Sequence, residues 1–277
     1  MHLTCPGTSA WAAQWDAPSD WPFDGGVGKV PASESLRFLG RRPLRLLLLN
    51  PNASPEITAL VAREAAKLAR PGTDLVPATG RFGGRYIATR ATYAIAAHAA
   101  LDAWAPHADG IDGVLLACFG DPGLAALKEL SSVPVIGLVE ASLAATGAKR
   151  FSIVTGGTAW EPMLREIVIL AGAAPRLATI RTVAPTGAEI ARDPDGALAT
   201  LAQACRACAE DGAETVILGG AGLAGLAQHL RPIVGIELID GLEAGMAAIQ
   251  DAIAAPRTRA APIETIGLAP ELATKIG

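Results

Sequence analysis

Short, unbroken apolar runs alternate with longer Ala/Leu-rich stretches of helical period along most of this chain. Leu44-Arg45-Leu46-Leu47-Leu48-Leu49-Asn50 is followed by Pro-Asn and shows no polar alternation, which predicts a strand covered on both faces. Ser54, with Pro55 and Glu56 behind it, reads as the start of a helix. Asp74 to Pro77 reads as a second strand leading into a loop rich in Gly and Arg, Thr79 to Tyr86. A helix over Thr89 to Trp104, a strand running to Cys118, a helix over Asp121 to Leu130 and a strand over Val133 to Val139 follow. The second half replays this order: strand and turn Phe151 to Thr158, helix Glu161 to Ala171, strand Ala178 to Val183, helix Asp195 to Glu210 and strand Thr215 to Leu218. A last strand, Ile233 to Ile239, precedes a helix over Gly241 to Ala255 that is expected to return to the first half.

The replay is also visible residue by residue. Leu115-Leu116-Ala117-Cys118-Phe119-Gly120 returns as Ile217-Leu218-Gly219-Gly220-Ala221-Gly222, and Val133-Pro134-Val135-Ile136-Gly137 as Arg231-Pro232-Ile233-Val234-Gly235. Strands alternating with helices at this spacing predict an α/β fold of two pseudo-symmetric lobes. Each lobe is a parallel sheet flanked by helices, with the active-site cleft between them. The expected division is an N-terminal extension over residues 1–43, a first lobe of 44–140 plus 240–277, and a second lobe of 141–239. The extension lacks periodicity but carries Trp11, Trp15 and Trp21, side chains costly to leave in water, so docking onto the body or a partner subunit is expected.

Composition narrows the function. The net charge of −4 argues against a general binder of nucleic acid or anionic membrane, both of which call for a basic surface. The apolar stretch Ile95 to Ala105 is interrupted by His98 and Asp102, well short of the ~20 residues of a membrane span. Residues 1–24 lack a cationic start followed by an apolar core, so a cytoplasmic location with reduced thiols is expected. Of the four cysteines, Cys5 lies in the extension, while Cys205 and Cys208 sit in a helical Ala/Leu pattern and read as packing residues. Neither a partner pair nor scattered His2, His98, His107 and His229 completes a metal set. Gly219 to Gly225 matches a dinucleotide fingerprint only loosely and no P-loop lysine is spaced correctly, so no cofactor is expected.

Four turns at the expected carboxyl ends of strands remain: Asn50 to Ser54, Cys118 to Asp121, Thr155 to Thr158 and Gly219 to Gly222. Small residues there let backbone amides approach a carboxylate, imide or enolate oxygen, which singles out Asn52, Ser54, Phe119, Gly120, Thr155, Gly156, Gly157, Thr158, Gly220, Ala221 and Gly222. Cys118, placed at a helix N-terminus, is expected to have its thiol drawn from ~8.5 towards neutrality, as proton transfer requires. A buried small hydrophobe at a strand end is the competing reading. Arg85 and Tyr86 follow the second strand, where Arg is suited to pair with a carboxylate and Tyr to donate a hydrogen bond; a solvated loop is the alternative. Glu140 and Asp240 end equivalent strands and read as structural or supporting groups.

Asn50-Pro51-Asn52-Ala53-Ser54, Ala117-Cys118-Phe119-Gly120-Asp121-Pro122-Gly123-Leu124, Pro134 to Gly137 with Glu140-Ala141, Phe151 to Thr155 and Ile239-Asp240-Gly241, in that order, resemble the Asp/Glu/hydantoin racemase superfamily. The resemblance spans residues 44 to about 255 and is strongest to the hydantoin racemase branch. It implies a cofactor-independent isomerase, a homo-oligomer, that acts on a small-molecule carboxylate or cyclic imide. Such enzymes set two cysteines on opposite faces of a carbon acid. Cys118 matches the first, Asn52 a substrate-contacting Asn, and Thr155 with the amides of Gly156 to Thr158 the oxyanion turn of the second lobe.

The second cysteine position is Gly220, which has no side chain to move a proton. One thiol facing bare backbone leaves several readings open. One is a racemase working from the Cys118 side. Another is a one-cysteine decarboxylase or lyase similar to arylmalonate decarboxylase, which looks like the mirror case. A third is a binding protein that keeps the cleft without turnover, and a fourth has Tyr86, with Arg85 beside it, as the base on the opposite face.

Overall fold

The computed structural model describes residues 42–253, 263 and 265–276. The N-terminal extension with Cys5, Trp11, Trp15 and Trp21 lies outside the described residues, as do residues 254 and 255 at the expected end of the helix that begins at Gly241.

The first sheet forms around β1 (Leu44–Asn50), which pairs in parallel with β2 (Thr73–Thr79) on one side and β3 (Gly113–Leu116) on the other, while β4 (Val135–Gly137) extends it beyond β3. Its order, β2-β1-β3-β4, is repeated by β5 (Phe151–Gly156), β6 (Leu177–Val183), β7 (Thr215–Gly219) and β8 (Glu237–Asp240), which lie as β6-β5-β7-β8, again all parallel. Ten helices among the described residues cover these sheets: α1 (Pro55–Leu68), α2 (Arg90–Trp104), α3 (Leu124–Leu130), α4 (Leu138–Ala145), α5 (Trp160–Leu170), α6 (Gly187–Arg192), α7 (Pro194–Glu210), α8 (Ala227–Val234), α9 (Gly241–Ala252) and α10 (Pro270–Ile276).

The Leu run of β1 is unbroken because both faces are covered. Leu46 and Leu48 enter one core, and Leu47 and Leu49 the core on the other face, with Trp104 of α2 and Leu272 of α10. The same division holds in the second sheet, where Phe151, Ile153 and Ile217 join the core of Leu46 and Leu48, while Val154, Val216 and Leu218 face α7 and α8. Each sheet thus gives one face to a single shared core. Fully burying one such side chain is worth about 1.5–3 kcal/mol, so this shared layer is a large part of what holds the two sheets together. Cys205 and Cys208 are buried packing residues of α7, as their pattern predicts.

Three predicted boundaries move, each for a local reason. The strand expected over Val133 to Val139 stops at Gly137, because α4 starts at Leu138 with its first amides held by the Asp121 carboxylate. The helix expected from Asp121 starts only at Leu124, after Asp121 and Gly123 have both taken positive φ (53° and 80°). Ile233 and Val234, read as the start of the last strand, close α8, which Gly235 terminates at φ 69°. The strand equivalent to β4 is therefore β8, beginning at Glu237.

The last long helix returns to the first sheet, as expected. A β-carbon at Gly113 on β3 would lie 3.1 Å from Ile249 and 3.3 Å from Ile253, and one at Gly245 on α9 would lie 2.8 Å from Leu138 and 2.9 Å from Leu115. Strand and helix approach this closely only because both positions lack side chains. Gly113→Val is expected to lower the unfolding free energy by about 1–3 kcal/mol through overpacking, read from the urea midpoint. An unchanged midpoint would show that α9 is free to move away.

Candidate active site

At the carboxyl ends of β1, β3, β5 and β7 the expected turns converge on one cavity of about 50 Å³. The first lobe contributes Asn52, Tyr86, Cys118 and Phe119, and the second contributes Thr155, Gly156, Gly220, Ala221 and Gly222. Ile57, Ile87, Trp160, Gly187, Ala188 and Leu223 complete the wall and were not anticipated from the sequence. The two on α6 had a legible signal: Thr186 and Glu189 form a capping box that announces that helix one residue before Gly187. The space is narrower than the ~150 Å³ that admits a benzene ring, so a ring-sized ligand requires the walls to part.

Asn52 is oriented by its neighbours. Its Oδ1 accepts from Asn50 Nδ2 at 2.9 Å and from the Ser54 amide at 3.0 Å, and Asn50 is itself tied to Thr58 Oγ1 at 2.9 Å. With the oxygen committed to a backbone donor, the amide orientation is decided and Nδ2 is left without an acceptor among the described residues. Thr155 Oγ1 and the amides of Phe119, Ala221 and Gly222 are likewise without hydrogen-bond partners among the described residues. Asn52, Phe119, Thr155, Ala221 and Gly222, which carry these donors, line the cavity from both lobes.

Cys118 is 6% exposed and lies two residues past the end of β3. The expected low thiol value is not what its surroundings produce. Burial, and then the nearby Asp121 charge, push the thiol well above its ordinary range. Because α3 begins only at Leu124, Cys118 has no helix N-terminus of its own to offset that burial. The group at hand is a neutral S–H, an acid rather than a ready base. Asp121 explains the turn: its carboxylate accepts from the amides of Val139 at 3.1 Å and Glu140 at 2.9 Å, so it caps α4 from a distant loop. It is the one non-glycine residue with positive φ among the described residues. Glu140, read as a supporting group, pairs with Lys128, and Asp240 caps α9 through the amides of Leu242 and Glu243.

On the facing wall Gly220 has φ 133°, a backbone state that side-chain-bearing residues rarely take. A β-carbon there would lie 3.5 Å from Thr155 Oγ1 and 3.0 Å from Leu223. Around the cavity, aromatic rings of one lobe cross onto glycines of the other. The Phe119 ring occupies the place a Gly219 side chain would fill, and a β-carbon at Gly120 would be 2.7 Å from the Trp160 ring. A β-carbon at Gly157 would be 2.6 Å from the Tyr86 hydroxyl, which donates to the Gly156 carbonyl at 3.0 Å.

The remaining expected site residues are placed elsewhere. Arg85 lies outside the cavity, paired with Glu56 at 3.2 Å and largely exposed. Ser54 lines the same outer hollow as Arg85 and gives its hydroxyl proton to Glu56 at 2.8 Å. Gly120 is buried beside the cavity rather than lining it, its carbonyl accepting from the Tyr93 hydroxyl at 2.7 Å. In the second-lobe turn, the Gly157 amide is spent on the Val183 carbonyl at 3.0 Å and Thr158 is exposed, so neither offers the oxyanion donor expected of it. Tyr86 lines the cavity; burial raises its phenol above the ordinary value, and its hydroxyl donates to the Gly156 carbonyl.

Burial also lifts the Asp121 carboxyl to about 7 and that of Asp240 to about 6, despite the amides each accepts. A carboxyl whose folded value lies above the ordinary 3.8 contributes stability while protonated, and that contribution falls away as pH rises from about 4 to about 7. Asp121→Asn is expected to flatten the decline in unfolding free energy across that window in urea titrations, leaving the part due to Asp240. It should also speed alkylation of Cys118 at pH 8, because an anion next to the thiol is gone. Equal slopes and equal alkylation rates would refute the assignment. At the opposite wall, Gly220→Ala should lower the unfolding free energy in urea titrations by about 1–3 kcal/mol, from its backbone state with the tight 3.0 Å approach to Leu223 adding to it.

Residues 46–249 match the family model described as Asp/Glu/Hydantoin racemase. The chain is 35% identical over 216 residues to the hydantoin racemase of Paenarthrobacter aurescens, covering 76% of this chain and 92% of that one. Among solved structures it is similar to allantoin racemase from Klebsiella pneumoniae (32% identity, TM-score 0.71, covering 76% of this chain and 88% of the other). It is also similar to allantoin racemase from Pseudomonas fluorescens (29% identity, TM-score 0.76, covering 81% and 100%). With the two-lobed fold, the shared cavity at the strand ends and a family match over most of its length, this chain belongs to the Asp/Glu/hydantoin racemase family and is an enzyme of the isomerase class.

Proposed function

We propose that this enzyme moves the α-proton of a hydantoin-like ring or small carboxylate without a cofactor, using Cys118 as its single thiol acid/base. One observation carries the reading: a buried thiol and a bare Gly220 line the same cavity, with unpartnered donors from both lobes around it. The allantoin and hydantoin racemases to which the chain is similar supply the substrate class, a cyclic imide with one acidic carbon. Once Cys118 has given its own proton to water, its thiolate takes the α-proton onto sulfur and leaves a planar enolate. Its oxygen is suited to the Asn52 amide, the Thr155 hydroxyl and the peptide N–H groups of Phe119, Ala221 and Gly222, each worth more in a dry cavity than in water. On the Gly220 face there is no side chain to return the proton, so that face draws on water.

The raised thiol favours a second reading. A neutral S–H opposite a bare wall is suited to protonating a planar intermediate from one side, as after loss of CO₂ from a malonate-like substrate.

In deuterated water with a hydantoin substituted at its acidic carbon, or with allantoin, that carbon should take up deuterium faster in the enantiomer whose C–H faces Cys118, with slower conversion to its mirror form. Cys118→Ala should reduce exchange by about a hundredfold or more. Exchange surviving that substitution would overturn the role of the thiol, and CO₂ release from a malonate with a deuteron delivered to one face would select the second reading.

A further inference from the structure

Beside the Cys118 cavity lies a wider hollow of about 500 Å³, and Ile57, Tyr86 and Ala188 line both, so the two share a wall. Their chemistry differs. The inner space is walled mainly by apolar side chains and peptide groups, whereas the outer one carries Arg63, Arg85 and Arg192 against a single carboxylate, Glu56.

None of the three guanidiniums is strongly committed. Arg85 meets Glu56 at 3.2 Å with 76% and 69% of the two side chains exposed, a pair that contributes little in water. Arg63 Nε donates to one oxygen of Glu64 at 3.2 Å while Lys67 holds the other at 2.5 Å, so two cations share that one carboxylate, and the Arg63 side chain stays 62% exposed. Arg192 donates to the Ala188 carbonyl at 3.2 Å and feels the Glu189 charge without a direct ion pair among the described residues. With Lys67 counted, four cations meet the carboxylates of Glu56, Glu64 and Glu189, which leaves one positive charge in excess beside the cavity of a protein whose net charge is −4. An arginine fork matches the two oxygens of a carboxylate, and the inner cavity is too narrow to take a substituent along with the reacting ring.

We infer that the outer hollow is an anion subsite, in which a carboxylate carried on the substituent of the substrate's acidic carbon is held among Arg63, Arg85 and Arg192. The inference deepens the reading of Cys118 as the reacting group and rests on it only for which end of the substrate points inward.

The probes are a hydantoin bearing a propionate side chain and the same compound as its propionamide, nearly equal in size and different by one charge. Calorimetry with the full-length protein at low salt should give a Kd about tenfold or more lower for the propionate. That preference should shrink at least about fivefold in high salt and in an Arg85→Gln/Arg192→Gln variant, both exposed positions where glutamine leaves packing intact. Equal affinities, absence of binding by either probe, or a preference that survives in the variant would overturn the subsite. Propionate binding that behaves as expected with no deuterium exchange in either probe would keep the subsite and overturn the Cys118 reading. Exchange in both probes with equal Kd and equal kcat/KM would do the reverse.

Discussion

The site exists because rings and glycines trade places across the boundary between the lobes. Phe119 of the first lobe lies over Gly219 of the second, Trp160 of the second over Gly120 of the first, and Tyr86 of the first over Gly157 of the second. Close packing leaves no room for a side chain under an aromatic ring, so each contact needs both members. These contacts draw the strand ends to within one small molecule's width. Without them, the two sheets would share a core yet present their turns separately.

That closeness sets the electrostatics. The turn carrying Cys118 is buried, and burial penalises every charge that is left unpaired. The thiol therefore rests neutral, and the Asp121 carboxyl holds its charge weakly even though it caps α4. In the reaction proposed above, that burial strengthens the pull of donors such as Asn52 Nδ2 and the Ala221 amide on an oxygen that gains charge. The site is thus better prepared for a planar anion than for any charge of its own.

Much of this was readable in the chain. The Leu run of β1, the helices α1, α2, α5 and α7, the internal replay and the meeting of the Cys118 and Gly220 turns at one cavity all follow from period, punctuation and spacing. Local resemblance misled where tertiary context decided the outcome. Pro134-Val135-Ile136-Gly137 and Arg231-Pro232-Ile233-Val234-Gly235 look alike, yet one is a strand whose Gly opens a helix at φ −100° and the other a helix whose Gly ends it at φ 69°. The thiol's character was missed because it depends on where α3 begins, and that was decided by Asp121 reaching a helix remote in sequence. Arg85 was read as facing the reacting group because adjacency to Tyr86 in sequence says nothing about which of two neighbours turns inward.

The return of α9 to the first sheet carries a consequence for how the molecule is made. The second lobe is continuous in the chain from Phe151 to Asp240 and holds its own core around α7 and α8, so its parts reach one another over short separations. The first lobe, although it leaves the ribosome earlier, lacks the helix that covers Gly113 until residues 241–252 have emerged. Its exposed apolar face must wait through the synthesis of the entire second lobe, and that interval is when the nascent chain is most open to aggregation and most in need of a chaperone.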